Sequence, residues 1–172
     1  MKRMMLCMMV SAFVLLGGKA VQAQSGDIIQ IAGGSTNETT FIAALKSADL
    51  IGTLKGAGPF TVFIPTNDAF NKLSAGTLDT WLKPENNPAL TKTLIYHVLL
   101  GSFDAAAISK AIFDSGGKTI LPTISGGKLI ATNEGGKIKL TDENGGSAYI
   151  TAADQKASNG IIHVIDGVLL PK

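Results

Sequence analysis

The hydrophobic period of the chain changes at Gly116-Gly117, and that switch decides its fold class. Upstream, Phe41, Ala44, Leu45 and Ala48 follow at i, i+3, i+4 and i+7, and Leu90, Leu94, His97 and Gly101 line one side of a later segment. Such spacing places apolar side chains on one face of an amphipathic helix. Downstream, apolar and polar residues alternate, as in Lys137-Ile138-Lys139-Leu140-Thr141, which predicts a strand with one face in water. Strands are expected at Thr119–Ile124, Leu129–Thr132, Lys137–Thr141, Ala148–Ala152, Ile161–Ile165 and Val168–Leu170, after an earlier one at Thr61–Ile64. Gly126-Gly127, Gly135-Gly136, Asn144-Gly145-Gly146 and Asn159-Gly160 separate them as hairpin turns. Helices first and strands after give an α+β layout, not alternating βαβ units.

Local signals refine this pattern. Gln24–Ile31 reads as a short lead-in, and Ser35 with Glu38 has capping-box spacing ahead of the first helix. Pro65 stops the Thr61–Ile64 strand. Thr66 then suits an N-cap, with Asp68 in the first turn where its charge favours the helix dipole. A helix near Leu78–Leu82 carries Trp81, Asn87-Pro88 opens the next, and Asp104 caps another.

The first 23 residues read as a signal peptide. Lys2 and Arg3 precede an apolar run from Met4 to Leu16, and Val21-Gln22-Ala23 supplies small residues for cleavage. That run is shorter than the roughly 20 residues a membrane-spanning helix needs. Residues 24–172 are then a single exported domain, periplasmic or extracellular. All five Met, Cys7 and Arg3 leave with the leader. With Lys2, Arg3 and Lys19 gone, the 15 basic residues fall to 12 against 13 acidic ones, a net charge of −1. Disulfides, a thiolate nucleophile and cysteine-ligated zinc are excluded. A near-neutral chain without arginine is also a poor nucleic-acid binder.

Two segments and a dipeptide carry a family resemblance. Gly58-Pro59-Phe60-Thr61-Val62-Phe63-Ile64-Pro65-Thr66-Asn67-Asp68-Ala69-Phe70 resembles the first signature of fasciclin domains, and Asn159-Gly160-Ile161-Ile162-His163-Val164-Ile165-Asp166-Gly167-Val168-Leu169-Leu170-Pro171 resembles the second. Between them, Tyr96-His97 resembles the family's Tyr-His pair. The resemblance covers about Asp27 to Pro171. It implies a wedge-shaped β-sandwich of about seven strands with a helical layer. It also implies adhesion-type work: binding a cell-surface or matrix protein, or a polysaccharide. No catalytic activity is implied, and convincing equivalents of the integrin-binding sequences of animal members are absent. No hydrophobic tail follows the second signature, so no membrane anchor is expected in the mature chain.

Candidate residues follow from these readings. His97 lies on the apolar face of its helix and is expected to be a core histidine tying that helix to the Thr66–Asp68 loop. Tyr96, one position round, is expected to be more exposed, where an aromatic can act as an interface hot spot. Trp81, beside a polar loop, could stack on a sugar or pack against the helices. These three are the candidate partner-binding residues. Thr66, Asn67, Asp68, His163 and Asp166 are signature positions with an expected structural role. His163 reads as a buried residue of a central strand, and two histidines without a third clustered ligand do not specify a metal. Asp142-Glu143-Asn144-Gly145 lacks the spacing of a calcium loop and reads as a hairpin turn. No cofactor is called for. Asp68 with His97 is the one candidate catalytic pair, and an enzyme is not expected. The leading function is an adhesion module, for which useful avidity requires self-association as a homodimer or a multivalent target. The alternative is a periplasmic carrier or sensor of a small apolar or carbohydrate ligand, which needs a cavity between the helices and the sheet.

Overall fold

Seven strands form in chain order: β1 (Phe60–Pro65), β2 (Val98–Leu100), β3 (Lys118–Pro122), β4 (Lys128–Glu134), β5 (Lys137–Thr141), β6 (Ser147–Ala157) and β7 (Gly160–Ile165). They come from a computed structural model that describes residues 26–73, 76–81 and 83–172. The expected leader lies outside the described residues. The strands hydrogen-bond in the order β2-β1-β7-β6-β5-β4-β3. β1 and β7 run parallel, from Phe60↔Gly160 to Pro65↔Ile165, while every other pairing is antiparallel. The two signature segments are therefore neighbours in the sheet, β1 next to its β2 edge and β7 one strand further in. The long strand β6 pairs with β5 through its first residues and with β7 through the rest, and its register slips around Ala152. Asp154 there takes a left-handed conformation at φ 60°. Such bulges bend a strand and increase its twist. The sheet folds back far enough for Ile124 N–H, just past β3, to donate to the Val98 carbonyl of β2 at 2.8 Å. The expected α+β sandwich of seven strands with a helical layer is present.

Among the described residues, seven α-helices form: α1 (Ile28–Gly33), α2 (Thr39–Ser47), α3 (Ile51–Leu54), α4 (Asn67–Asn71), α5 (Thr77–Trp81), α6 (Asn87–Tyr96) and α7 (Ala105–Asp114). Strand alternation sorts the apolar residues into two cores. Val62, Ile64 and Ile162 face the helices and pack with Phe41, Leu45, Leu90 and Leu94. Phe63 and Ile165 face inward and pack with Leu129, Leu140, Ala148 and the α7 residues Ile108 and Ile112. Each such large side chain contributes about 1.5–3 kcal/mol when fully buried. The alternation read at Lys137–Thr141 holds, since Ile138 and Leu140 are buried between less buried neighbours.

Four local readings need correction. The lead-in contains α1, and the capping box lies there: Asp27 accepts from Gln30 N–H while the Gln30 side chain accepts from Asp27 N–H. Ser35 and Glu38 do not form one, because α2 starts at Thr39 and Glu38 occupies the N-cap position without a side-chain cap bond. The helix expected through Gly101 ends at Tyr96, and Val98–Leu100 becomes β2 because it satisfies the free edge of β1. Val168–Leu170 is not a strand; side chains rather than a ladder hold it. Thr66 and Asp104 cap their helices as expected, accepting from Ala69 N–H and Ala107 N–H.

Candidate interaction surface

The first signature turns Asn67 onto the backbone of a neighbouring segment. Asn67 follows β1 and reaches across to α2. Its Oδ1 accepts from Thr40 N–H at 3.0 Å, and its Nδ2 donates to the Thr36 carbonyl at 3.0 Å. Its own N–H donates to Asn37 O at 2.7 Å. Asn67 thus supplies the cap that Glu38 does not, and it locks two helices together. Asp68 stays exposed in the first turn of α4. Glu38 is buried beside this junction with Oε2 unpartnered, and burial pushes its carboxyl above the usual range. Asn67→Ala is expected to lower stability by about 1–2 kcal/mol, the worth of a lost cap. Its chemical-denaturation midpoint should fall, while Asp68→Ala should shift it by less than half as much.

The Tyr-His pair is buried, not split between core and surface. The expected exposure of Tyr96 is overturned: it is fully buried, with its ring against Gly127, where an added Cβ would sit 2.5 Å away. The reason is that Tyr96 ends α6 over the sandwich core rather than continuing a helix edge. Its hydroxyl donates to Lys128 O at 2.7 Å and accepts from Glu143 N–H at 3.3 Å. Burial pushes the phenol up to about 12. His97 is buried in the C-cap position of α6; Nδ1–H donates to Thr93 O at 2.8 Å and Nε2 accepts from Leu169 N–H at 3.1 Å. It therefore ties the helix to the tail of the second signature, not to Thr66–Asp68. Both ring nitrogens are committed to backbone, so His97 cannot also take a proton from a catalytic partner. Desolvation pulls its pKa down to about 4. Buried Asp142 completes this clamp, accepting from Asn144, Gly146 and Leu170 N–H at 2.8–2.9 Å.

The second signature behaves alike. His163 lies between β1 and β6, fully buried and stacked on Phe63 with ring centroids 5.5 Å apart. Nε2–H donates to Phe103 O at 2.7 Å and Nδ1 accepts from Asp154 N–H at 3.3 Å, so the two histidines hold opposite tautomers. Desolvation lowers its pKa as well. Asp166 exchanges bonds with the Tyr149 backbone, accepting at Oδ1 and donating its N–H. Asn159, which opens the second signature at a turn, joins three segments. Oδ1 accepts from Ile28 N–H at 3.0 Å, and Nδ2 donates to Leu54 O at 2.7 Å and Gly56 O at 3.2 Å. Its partners lie more than 100 residues away, and no local pattern signals them.

What remains at the surface is shallow. The two signature loops line an open groove of roughly 630 Å³ with Pro59, Ser102, Lys156 and Asn159 on its walls. Between helices and sheet, the pocket bounded by Leu45, Leu54, Leu94 and Val98 holds about 20 Å³. Trp81 is half-buried and packs against the helical core. Exposed apolar residues include Leu100, Phe113, Ile120 and Ile130. Among the described residues, no three His, Cys, Asp or Glu side chains are grouped to hold a metal, and no helix is long and apolar enough to cross a membrane.

Comparison with known proteins places this geometry. The Fasciclin domain family profile matches residues 36–171. Protein sll1483 of Synechocystis is 42% identical over 145 residues, covering 84% of this chain and 73% of that protein. Immunogenic protein MPB70 of Mycobacterium bovis is 32% identical, covering 90% of this chain and 75% of that one. Human periostin is 31% identical over 133 residues, which cover 77% of this chain but 14% of periostin. Among solved structures, a FAS1 domain pair from the insect cell adhesion molecule Fasciclin I superposes with a TM-score of 0.75 at 20% identity, covering 84% of this chain. This chain spans about half of that pair, 51% of its length, and the likeness speaks for the fold alone.

Proposed function

This chain belongs to the fasciclin domain family, and from that premise we propose that it is an exported, non-enzymatic module that binds a cell-surface or matrix protein or a polysaccharide. The observation that carries the reading is the use made of the signature side chains. His97, His163, Asn67 and Asn159 all spend their polar atoms on backbone groups. A site for bond chemistry needs a reactive group with spare hydrogen-bonding capacity facing a cleft. Here the family pattern supports a rigid frame, and recognition falls to exposed surface. Tyr96 and His97 then contribute by holding that frame, while Trp81 keeps a half-exposed ring available to a partner.

The carrier alternative is the weaker reading, because the pocket between helices and sheet has room for roughly one water, not the several hundred Å³ of a ligand site. The test is binding of the exported protein to whole cells, envelope fractions and a glycan panel from its own source. Saturable binding that survives a nuclease treatment is expected. Binding to nothing in that panel, with a small molecule co-purifying in stoichiometric amount, would replace the adhesion reading with the carrier. Native mass spectrometry of the same sample gives the subunit count, and a dimer would supply the bivalence that one domain lacks.

A further inference from the structure

The sheet formed by β3–β6 has one face in the sandwich core and one in water. Leu121, Leu129, Ala131 and Leu140 are buried inward, so the alternate residues point out. Register places Ile120 opposite Ile130, and Lys118 opposite Thr132 and then Lys139 in the adjoining row. Lys128 stands opposite Pro122, and Lys137 opposite Glu134. Ile120 is 60% exposed and Ile130 37%, so the centre of the face is apolar. Its rim is basic. Glu134 is the one carboxylate in these outward positions of β3–β5, and it already accepts from Lys139 at 3.1 Å and from the Tyr149 hydroxyl at 2.9 Å. Lys118, Lys128 and Lys137 have no ion-pair partner among the described residues. Positive charge is thus gathered on one face of a chain whose net charge after the leader is −1. The nearest acidic neighbour at the Lys128 end is Glu143, whose Oε1 accepts from Lys128 N–H at 3.2 Å.

We propose that this face docks on an anionic lipid bilayer, with Ile120 and Ile130 against the headgroup–acyl boundary and the lysines on lipid phosphates. Three features favour a bilayer over an acidic sugar chain. The face is about 15 Å across, four strands at roughly 4.8 Å spacing. Its centre is aliphatic. Its aromatic, Tyr149, has its hydroxyl bound to Glu134 and the Lys139 ammonium 6.0 Å from the ring centroid, so it offers no open platform for a sugar. An apolar patch with surrounding lysines is the pattern by which proteins lie on charged membranes. This docking is independent of the protein partner, and a membrane surface would give a single domain many equivalent contacts.

The experiment is co-sedimentation of the protein, as processed by an exporting host, with vesicles of phosphatidylcholine alone or with one-third phosphatidylglycerol. Binding to the anionic vesicles alone, falling steeply between 50 and 300 mM salt, is expected. Each lysine near the surface is worth roughly five-fold in partitioning, so Lys118→Gln, Lys128→Gln and Lys137→Gln together should cost roughly 100-fold. Ile120→Ser with Ile130→Ser should weaken binding while leaving the melting temperature within a degree or two. Equal binding to neutral vesicles, no binding to either, an unaffected triple variant, or capture by soluble polygalacturonate in place of vesicles would each overturn the proposal. Failure here leaves the adhesion reading standing, since that reading is scored on cells and glycans.

Discussion

Gly160→Ala is expected to destabilise the protein by at least about 3 kcal/mol and to lower its urea midpoint sharply. A Cβ on residue 160 would sit 2.1 Å from the Phe60 carbonyl oxygen and 2.9 Å from both the Phe60 carbonyl carbon and Ile28 Cδ1. Two of those atoms are backbone of a paired strand, so neither can swing aside. Gly160 is bonded into β1 on one side and β6 on the other, and moving it moves both ladders. Asn159 next door holds α1 and the α3 end, so the displacement reaches the helical layer too. Against a typical domain stability of about 5–15 kcal/mol, that loss is severe. Gly52→Ala is the control: nothing lies within 4 Å of its added methyl, and it sits inside α3. It should hold or raise stability by about 0.5–1 kcal/mol. Circular dichroism and a urea midpoint decide the matter. A Gly160→Ala protein that unfolds at the wild-type midpoint would show that the strands do not approach this closely.

This glycine marks where sequence reading succeeds and where it stops. Asn159-Gly160 was legible as a break between strands, since Asn-Gly pairs suit tight turns. The reason glycine is required there is different. Its backbone is not among the left-handed positions of the chain; what forbids a side chain is a strand arriving from residue 60. Likewise the strand count came out at seven through two compensating errors. Val168–Leu170 has a strand's composition, but His97 and Asp142 capture its N–H groups and no neighbouring strand does. Val98–Leu100 continues a helical pattern, yet the open edge of β1 pulls it into the sheet. Period and caps act over a few residues, and they gave the α+β class and the Thr66 and Asp104 caps. The partners of Asn67, Tyr96 and His97 are set by topology, so their roles stayed out of reach. Tyr96 shows the consequence, because a residue at a helix end is exposed or buried according to what packs over it.

Acid should weaken the fold in a definite window, and His97 is the main cause. In the unfolded chain its imidazole titrates near 6.5; in the folded protein, burial holds it down to about 4, with the Thr93 carbonyl and Asp142 opposing that shift only in part. A group whose folded pKa lies lower takes up its proton more readily when unfolded. Stability is therefore full above pH 6.5 and declines as pH falls from 6.5 towards 4. Over that span the loss amounts to about 3 kcal/mol, at roughly 1.4 kcal/mol per pH unit. His163 is depressed for the same reason and steepens the decline. Glu38 works the other way, since its raised carboxyl takes up a proton first in the folded state, and Glu38→Gln removes that opposing slope. The structural consequence is specific: a protonated His97 cannot accept from Leu169 N–H, so the second-signature tail should loosen before the cores do. Urea midpoints from pH 7.5 to 4 should trace the decline, and amide exchange at Leu169 should accelerate ahead of that at Phe63. His97→Gln should start lower at pH 7.5 yet lose far less on acidification. If its pH profile ran parallel to that of the native protein, the titration would belong to other groups and the clamp at His97 would not be the acid-sensitive element.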